Sequence, residues 1–303
     1  MAMAARPFLK WAGGKRQLLP ALRQFYPTHF ECYHEPFLGS GAVFFDLHAR
    51  GLLDGRAAIL TDTNRDLIGC YHMVRDATDE VIRELSALSA AHARSNGTHY
   101  YEVRDKRFNI QRRDRVEYTP ALAAMFIYLN RTGYNGLFRL NAKGAFNVPA
   151  GRYDNPKICD ADNLRRVAAA LQNPKITVRC QPFDSVLADA HAGDFIYLDP
   201  PYAPLSPTAK FTSYTAHGFS LADQARLRKL MIALTGRGCH VVLSNSTARE
   251  IENLYEADRD VALAGLRSNT VPARRAINSN AQRRGSVTEY IISNVEPSTE
   301  TRN

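Results

Sequence analysis

The sequence predicts an α/β fold, a doubly wound and largely parallel sheet with a helical subdomain inserted into it. Three observations carry that reading. Short apolar runs recur between helical patterns. Two of them lead directly into glycine- or proline-marked turns. Between about residues 65 and 154 the rhythm breaks, and helical periodicity takes over. Alternating strands and helices belong to a parallel sheet covered on both faces.

Taken in order, Cys32-Tyr33-His34 is short and β-prone and runs into Glu35-Pro36-Phe37-Leu38-Gly39-Ser40-Gly41. Ala42 to Ala49 reads helical, and Ala57-Ala58-Ile59-Leu60 is a second strand ending at Asp62. Strand, glycine turn, helix, strand and acid make the opening of a nucleotide-binding βαβ unit. In the inserted region Val81, Ile82, Leu85 and Leu88 mark one helix, and Thr119-Pro120 opens an apolar helix to Leu129. Arginines and aromatics interleave there, from Tyr100 and Tyr101 through Arg104, Arg107 and Phe108 to Arg115. Such a run is either a solvated face or a nucleic-acid surface.

The second half resumes the alternation. Ile176-Thr177-Val178 leads to Phe183-Asp184, and Asp194-Phe195-Ile196-Tyr197-Leu198 reads as a buried strand ending at Asp199-Pro200-Pro201-Tyr202. Ser220 precedes a helix with Leu227, Leu230, Met231 and Leu234 on one face. Asp223 completes a capping box in which Asp replaces the usual Glu or Gln. Gly236 and Gly238 stop that helix before the strand His240-Val241-Val242-Leu243. The expected organisation is a catalytic core of residues 1–64 and 155–297, a recognition subdomain of 65–154, and a frayed tail of 298–303.

The chain has 303 residues, 45% of them hydrophobic, and a net charge of +9 with a pI near 9.4. That composition excludes disorder as the main state and favours a polyanionic partner. No run approaches the roughly 18 apolar residues of a membrane span, and the first residues lack a secretory apolar region. Cys32, Cys70, Cys159, Cys180 and Cys239 form no CxxC pair. They read as reduced thiols in a cytoplasmic protein, with neither a disulfide framework nor a zinc site.

Gly39-Ser40-Gly41 fits the first half of a dinucleotide fingerprint, with Asp62 about 20 residues on where a ribose-binding acid belongs. Phe44 stands where the third glycine would be. Gly14-Lys15 imitates a P-loop, but Leu9 and Arg16 occupy the positions of its glycine and its Ser or Thr. His29-Phe30-Glu31 imitates half of a zinc-deaminase signature, and no Pro-Cys-x-x-Cys follows. The sharpest local signal is Asp199-Pro200-Pro201-Tyr202 at a strand's carboxyl end, where open α/β sheets bind ligands. It sets a carboxylate, the Pro200 carbonyl and the Tyr202 ring around one point, a setting suited to an amino group on a flat base. A proline turn ending a strand is the plainer alternative.

The same residues extend into a longer pattern. Phe8-Leu9-Lys10-Trp11-Ala12-Gly13-Gly14-Lys15, the Glu35–Phe45 stretch, Thr61-Asp62, Leu129-Asn130-Arg131-Thr132-Gly133-Tyr134-Asn135-Gly136-Leu137-Phe138-Arg139, Phe146-Asn147-Val148-Pro149 and Asp199–Ser206 follow one another. Ser279-Asn280 and Arg283-Arg284 complete the series. In these motifs, over about residues 7 to 293, the chain resembles the Dam-type DNA adenine-N6 methyltransferases of the α class. The resemblance implies a Rossmann-like methyltransferase core, S-adenosylmethionine as cofactor, and GATC in double-stranded DNA as substrate. It places Trp11, Lys15, Asp62 and Asp199 against the cofactor. Asp62 suits the ribose hydroxyls, Phe37 can cover an apolar part, and Gly39 and Gly41 let the backbone approach. Lys15 suits the methionine carboxylate, and Asp184 joins the same set.

For DNA, the resemblance gives base reading to Tyr134, Asn135, Leu137 and Arg139, with Pro149 and Tyr153 nearby and Lys10 from the N-terminal motif. Arg and Lys read guanine O6 and N7, while Leu and Pro suit the thymine methyl. Tyr134 can wedge into the base stack, and Arg131 and Arg152 are expected on phosphates. The implied reaction is direct methyl transfer to a flipped adenine, with Asp199, Pro200 and Tyr202 as the catalytic group. It calls for no metal and no covalent enzyme intermediate. A monomer, prokaryotic or phage-encoded and without membrane attachment, is expected. Three rivals stay open: transfer to a cytosine N4 or a protein amide, a DNA-binding module with a degenerate pocket, and, more distantly, an NAD-dependent dehydrogenase.

Overall fold

A computed structural model describes residues 3–11, 15–95, 98–203, 219–274 and 286–298. Lys10-Trp11 and Lys15 are therefore described without the residues between them, and Ser206, Ser279-Asn280, Arg283-Arg284 and the tail beyond Ser298 lie outside the described residues. The chain is mixed α/β and divides into two compact units. One comprises residues 15–38, 55–61 and 181–303; the other comprises 1–14, 39–54 and 62–180.

The first of these carries strands β1 (Cys32–Glu35), β2 (Ala57–Asp62, up to Thr61), β4 (Phe195–Leu198), β5 (His240–Ser246), β6 (Arg267–Arg274) and β7 (Ser286–Ser293). Their spatial order is β2-β1-β4-β5-β7-β6. β1 runs parallel to both β2 and β4, with Tyr33 beside Ala58 and Phe195, and β4 runs parallel to β5. β7 returns antiparallel to β5 and to β6, which brings Glu289 beside Ser246. Every residue of β4 is buried, as a central strand covered on two sides requires. The Leu221–Gly236 helix lays Leu227, Leu230, Met231 and Leu234 into one core with Ile196, Leu198, Val241, Leu243 and Ile292. Its capping box forms: Ser220 Oγ accepts from the Asp223 N–H, and the Asp223 carboxylate accepts from the Ser220 N–H. Gly238 then turns the chain at φ +87° into β5.

The other unit holds β3 (Ile176–Cys180) and the helices Ala42–Ala49, Arg65–Asp76, Thr78–Arg94, Pro120–Thr132 and Ala161–Leu171. Gly41 is left-handed (φ +65°) at the start of the first of these. Asn64 caps the second, accepting from the N–H groups of Asp66 and Leu67. Thr119 caps the Pro120–Thr132 helix with proline in its first turn, where no N–H is needed. That helix is buried nearly all round and packs against both Arg65–Asp76 and Thr78–Arg94. The helical insertion therefore has its own apolar centre. The Ala161–Leu171 helix packs on the same helices, so this compact unit continues past residue 154 to Cys180. No helix among the described residues is long and apolar enough to cross a membrane.

Candidate active site

The turn after β4 is held from below by three consecutive residues of β5. Ser244 Oγ donates to Asp199 Oδ1 at 3.2 Å. Asn245 donates to the Gln224 side-chain carbonyl, and Gln224 in turn donates to the Pro201 carbonyl at 3.2 Å. Ser246 Oγ donates to the Ala203 carbonyl at 2.8 Å. Ser244, Asn245, Ser246 and Gln224 are all buried, so this scaffold has no water to exchange its bonds with. Among the described residues no donor reaches the Pro200 carbonyl.

Lys15 enters the same cluster. Its Nζ lies 2.8 Å from Asp199 Oδ1 and 4.2 Å from the centre of the Tyr202 ring, with the side chain only 5% exposed. Tyr202 donates its hydroxyl to Glu289 Oε2 at 2.9 Å, and Tyr197 shares a 2.9 Å hydrogen bond with Ser244. Burial works against the Lys15 ammonium, but Asp199, Tyr202 and Glu289 more than offset it and hold its pKa above the ordinary lysine value. Burial pushes the Asp199 carboxyl up, with the Lys15 charge opposing it. Burial likewise pushes the Tyr202 phenol up. The cluster is a buried cation between two acids and an aromatic face.

Two other residues assigned to the cofactor lie in the same unit. Phe37 stacks on Phe183 (5.3 Å between ring centres) and meets Phe219 edge-on, forming an aromatic group. Asp184 is partly exposed and forms an ion pair with Arg226. At the starts of β1 and β4, Cys32, His34 and Asp194 gather within 4.8 Å. The Asp194 carboxylate there accepts from the Cys32 and His191 N–H groups and meets His34 Nε2 at 3.0 Å, tying the two strands together.

In the other unit, Asp62 Oδ2 accepts from the Gly39 N–H at 3.1 Å and Oδ1 from the Asn64 N–H at 2.9 Å. Burial raises its pKa, and these backbone donors oppose the rise. A carboxylate has about four acceptor sites, so two such bonds leave room for hydroxyl donors. Gly39 has φ +48°, and a Cβ on it would stand 2.8 Å from the Trp11 ring. Trp11 itself stacks against Phe138, the rings 18° from parallel. The glycine is required twice over, by its backbone conformation and by the indole against it.

The residues assigned to DNA also lie in this unit. A short hairpin is closed by bridges between Gly133 and Ala150 and between Leu140 and Phe146. Tyr134 is 43% exposed at its edge, Asn135 adopts φ +54°, and Leu137 is half-buried. Pro149, Arg152 and Tyr153 are exposed, and the Lys10 ammonium sits 4.0 Å above the Tyr153 ring. Burial, with the Arg131 charge, lowers the Lys10 pKa. Arg131 is given an internal partner: its guanidinium donates to the Phe8 carbonyl at 2.6 Å, and burial lowers its pKa. Its first role is thus to tie the N-terminal segment to the Pro120–Thr132 helix.

Sequence reasoning missed several supporting residues. Asn130 accepts from the Lys10 N–H and donates to the Lys10 and Gly136 carbonyls, clamping segments 120 residues apart. Gly136 admits that contact, since a Cβ there would lie 2.4 Å from Lys10 Cβ. Glu289, Gln224 and the Ser244–Ser246 triplet were also unforeseen. Three polar residues in a row at the end of an apolar strand were the available signal; Glu289 carries none.

Comparison with known proteins gives the family of the chain. A family profile for D12 class N6 adenine-specific DNA methyltransferases matches residues 11–267. The Type II methyltransferase M1.LlaDCHI of Lactococcus lactis subsp. cremoris is 39% identical over 292 residues, 95% of each chain. M.MjaIII of Methanocaldococcus jannaschii, also a Type II methyltransferase, is 41% identical over 303 residues, 96% of this chain and all of its own. The DNA adenine methylase of Escherichia coli K12 is 36% identical over 286 residues, 94% of each chain. The chain belongs to the D12 class of N6 adenine-specific DNA methyltransferases.

Proposed function

We propose that this chain methylates the N6 of adenine in GATC sites of double-stranded DNA, using S-adenosylmethionine and turning the adenine out of the helix. The observation that carries the reading is the pinned Asp199–Tyr202 turn, with its half-buried carboxylate and its Pro200 carbonyl without a donor among the described residues. The cofactor, when bound, supplies a methyl group activated on a sulfonium. The residues fit it: Asp62 retains acceptor capacity for a ribose hydroxyl, and Gly39, without a Cβ, brings its backbone close against the Trp11 ring. Gly41, Phe37 and Asp184 are assigned to the same ligand. The Lys15 ammonium is assigned to its carboxylate.

In the transfer, Asp199 and the Pro200 carbonyl each accept one N6 hydrogen while Tyr202 stacks on the base. Holding both hydrogens in this way turns N6 from planar toward pyramidal and aims its lone pair away from the ring. Asp199 keeps its place because Ser244 and Lys15 both bind Oδ1, so Oδ2 is assigned to the base. Positioning and fixed charge supply the catalysis. Taking the adenine out of the stack costs a few kcal/mol. Tyr134, exposed at the hairpin edge, is assigned to the gap. Lys10 and Arg139 are assigned to guanines, Leu137 and Pro149 to thymine methyls, Asn135 and Tyr153 to neighbouring base contacts, and Arg131 and Arg152 to phosphates.

The direct test is methyl transfer from labelled cofactor to matched duplexes that contain GATC or a scrambled site, with nucleoside analysis of the product. Label in N6-methyladenine on the GATC duplex alone is expected. Equal label on both would overturn the site assignment, and none on either would overturn the activity.

A further inference from the structure

Arg139 carries its guanidinium with one edge already used. A guanidinium has two bidentate edges: the side edge of Nε and Nη2, and the end edge of Nη1 and Nη2. The side edge faces Asn147, with Nε donating to Asn147 Oδ1 at 2.8 Å and Nη2 to the Asn147 main-chain carbonyl at 3.4 Å. Asn147 also donates its own N–H to the Arg139 carbonyl at 3.1 Å. One residue therefore holds both the main chain and the side chain of the arginine. On the end edge, Nη1 makes no hydrogen bond among the described residues, and Nη2 keeps its second hydrogen for that edge.

Asn147 is itself fixed by its neighbours. Phe146 is buried against Phe138 and Phe108, and its N–H and carbonyl are both taken by the Asn109 side chain. Arg112 bonds the Gly144 carbonyl and the buried Asp66, anchoring the hairpin tip to the Arg65–Asp76 helix. The hairpin is thus a rigid mount, and the plane of the guanidinium is set by it.

We propose that Asn147 is the positioning residue for base specificity: by occupying the side edge of Arg139, it leaves the end edge as the one bidentate donor pair, oriented to meet O6 and N7 of a single guanine. The proposal rests on the reading of Arg139 as a guanine contact. Without Asn147 the side chain gains rotamers and can offer either edge, so discrimination falls while phosphate contacts and chemistry persist.

The experiment uses the full chain, wild type beside Arg139→Ala, Asn147→Leu and Asn147→Asp. Each is assayed for kcat/KM on the methylated site and on duplexes carrying one base-pair change at each position, with thermal melting in parallel. Arg139→Ala identifies the base pair that this arginine reads. Asn147→Leu is expected to reduce discrimination at that same pair about tenfold and to leave the other positions and the melting temperature unchanged. Asn147→Asp keeps the acceptor and is expected to keep the discrimination. Should the leucine variant melt lower, Asn147→Ala removes the acceptor without the added bulk and is judged by the same ratio. Undiminished discrimination at that pair, or an equal loss of kcat/KM on every duplex, overturns the proposal. If Arg139→Ala changes no base preference, the guanine reading fails first and the proposal with it.

Discussion

In the proposed role Asp199 accepts an N6 hydrogen most strongly while ionised, and its surroundings pull in opposite directions. Burial raises its pKa, whereas the Lys15 ammonium 2.8 Å away favours the charged form. Activity should fall as pH drops through the Asp199 pKa, starting above the range of an ordinary aspartate. Lys15→Met removes the opposing charge, so the pKa climbs further and the acid limb of the single-turnover rate moves to higher pH. A limb that stays in place would show that Lys15 does not set the ionisation of Asp199. Asp199→Ala removes the acceptor altogether and should cost at least ~100-fold in turnover, the range for losing a positioned hydrogen-bonding group. Binding of labelled cofactor is the control, and turnover near wild type at saturating cofactor would sink the assignment. At the cofactor end, Asp62→Ala should weaken S-adenosylmethionine binding by about 1–3 kcal/mol in calorimetry; unaltered affinity would remove Asp62 from the site.

Elements whose signals are local could be read from the chain; those set by distant partners could not. β1, β2, β4 and β5 begin where the apolar runs begin, and the Ser220–Asp223 box forms because its partners are three residues apart. The strand-end positions of Asp199 and Asp62 were legible for the same reason, Asp199 opening a proline-marked turn and Asp62 closing the strand that follows the glycine turn. By contrast, Glu289 reaches Tyr202 through the antiparallel register of β7 on β5, which no local pattern encodes. Arg131 donates to the Phe8 carbonyl, 123 residues away. The Asp66 cluster is of this second kind. Asp66 is 2% exposed and bridges Arg112 and Arg115 at 2.6 and 3.1 Å. Asp66→Ala would leave both cations without their buried counter-charge, and should lower stability by about 3 kcal/mol. Denaturant unfolding measures this; a loss below ~1 kcal/mol would mean that the cluster behaves as a surface pair.

Across the whole chain, the +9 charge would act on every DNA sequence alike, whereas the base contacts proposed for the hairpin would act on one. The two contributions separate by their salt dependence. Each phosphate neutralised releases counterions, so the logarithm of affinity falls with the logarithm of salt concentration, with a slope near −0.9 per contact. Arg152 is exposed and assigned to a phosphate, so Arg152→Ala should weaken binding to GATC and scrambled duplexes by similar factors and reduce the slope by about 1. Arg139 has its side edge held by Asn147 and is assigned to a base. Its alanine variant should instead narrow the gap between the two duplexes, with a smaller change in slope on the scrambled one. Fluorescence anisotropy at several salt concentrations gives both quantities from one titration series. If Arg152→Ala narrows the gap while Arg139→Ala lowers both affinities equally, the division of labour between exposed charge and the mounted hairpin is reversed.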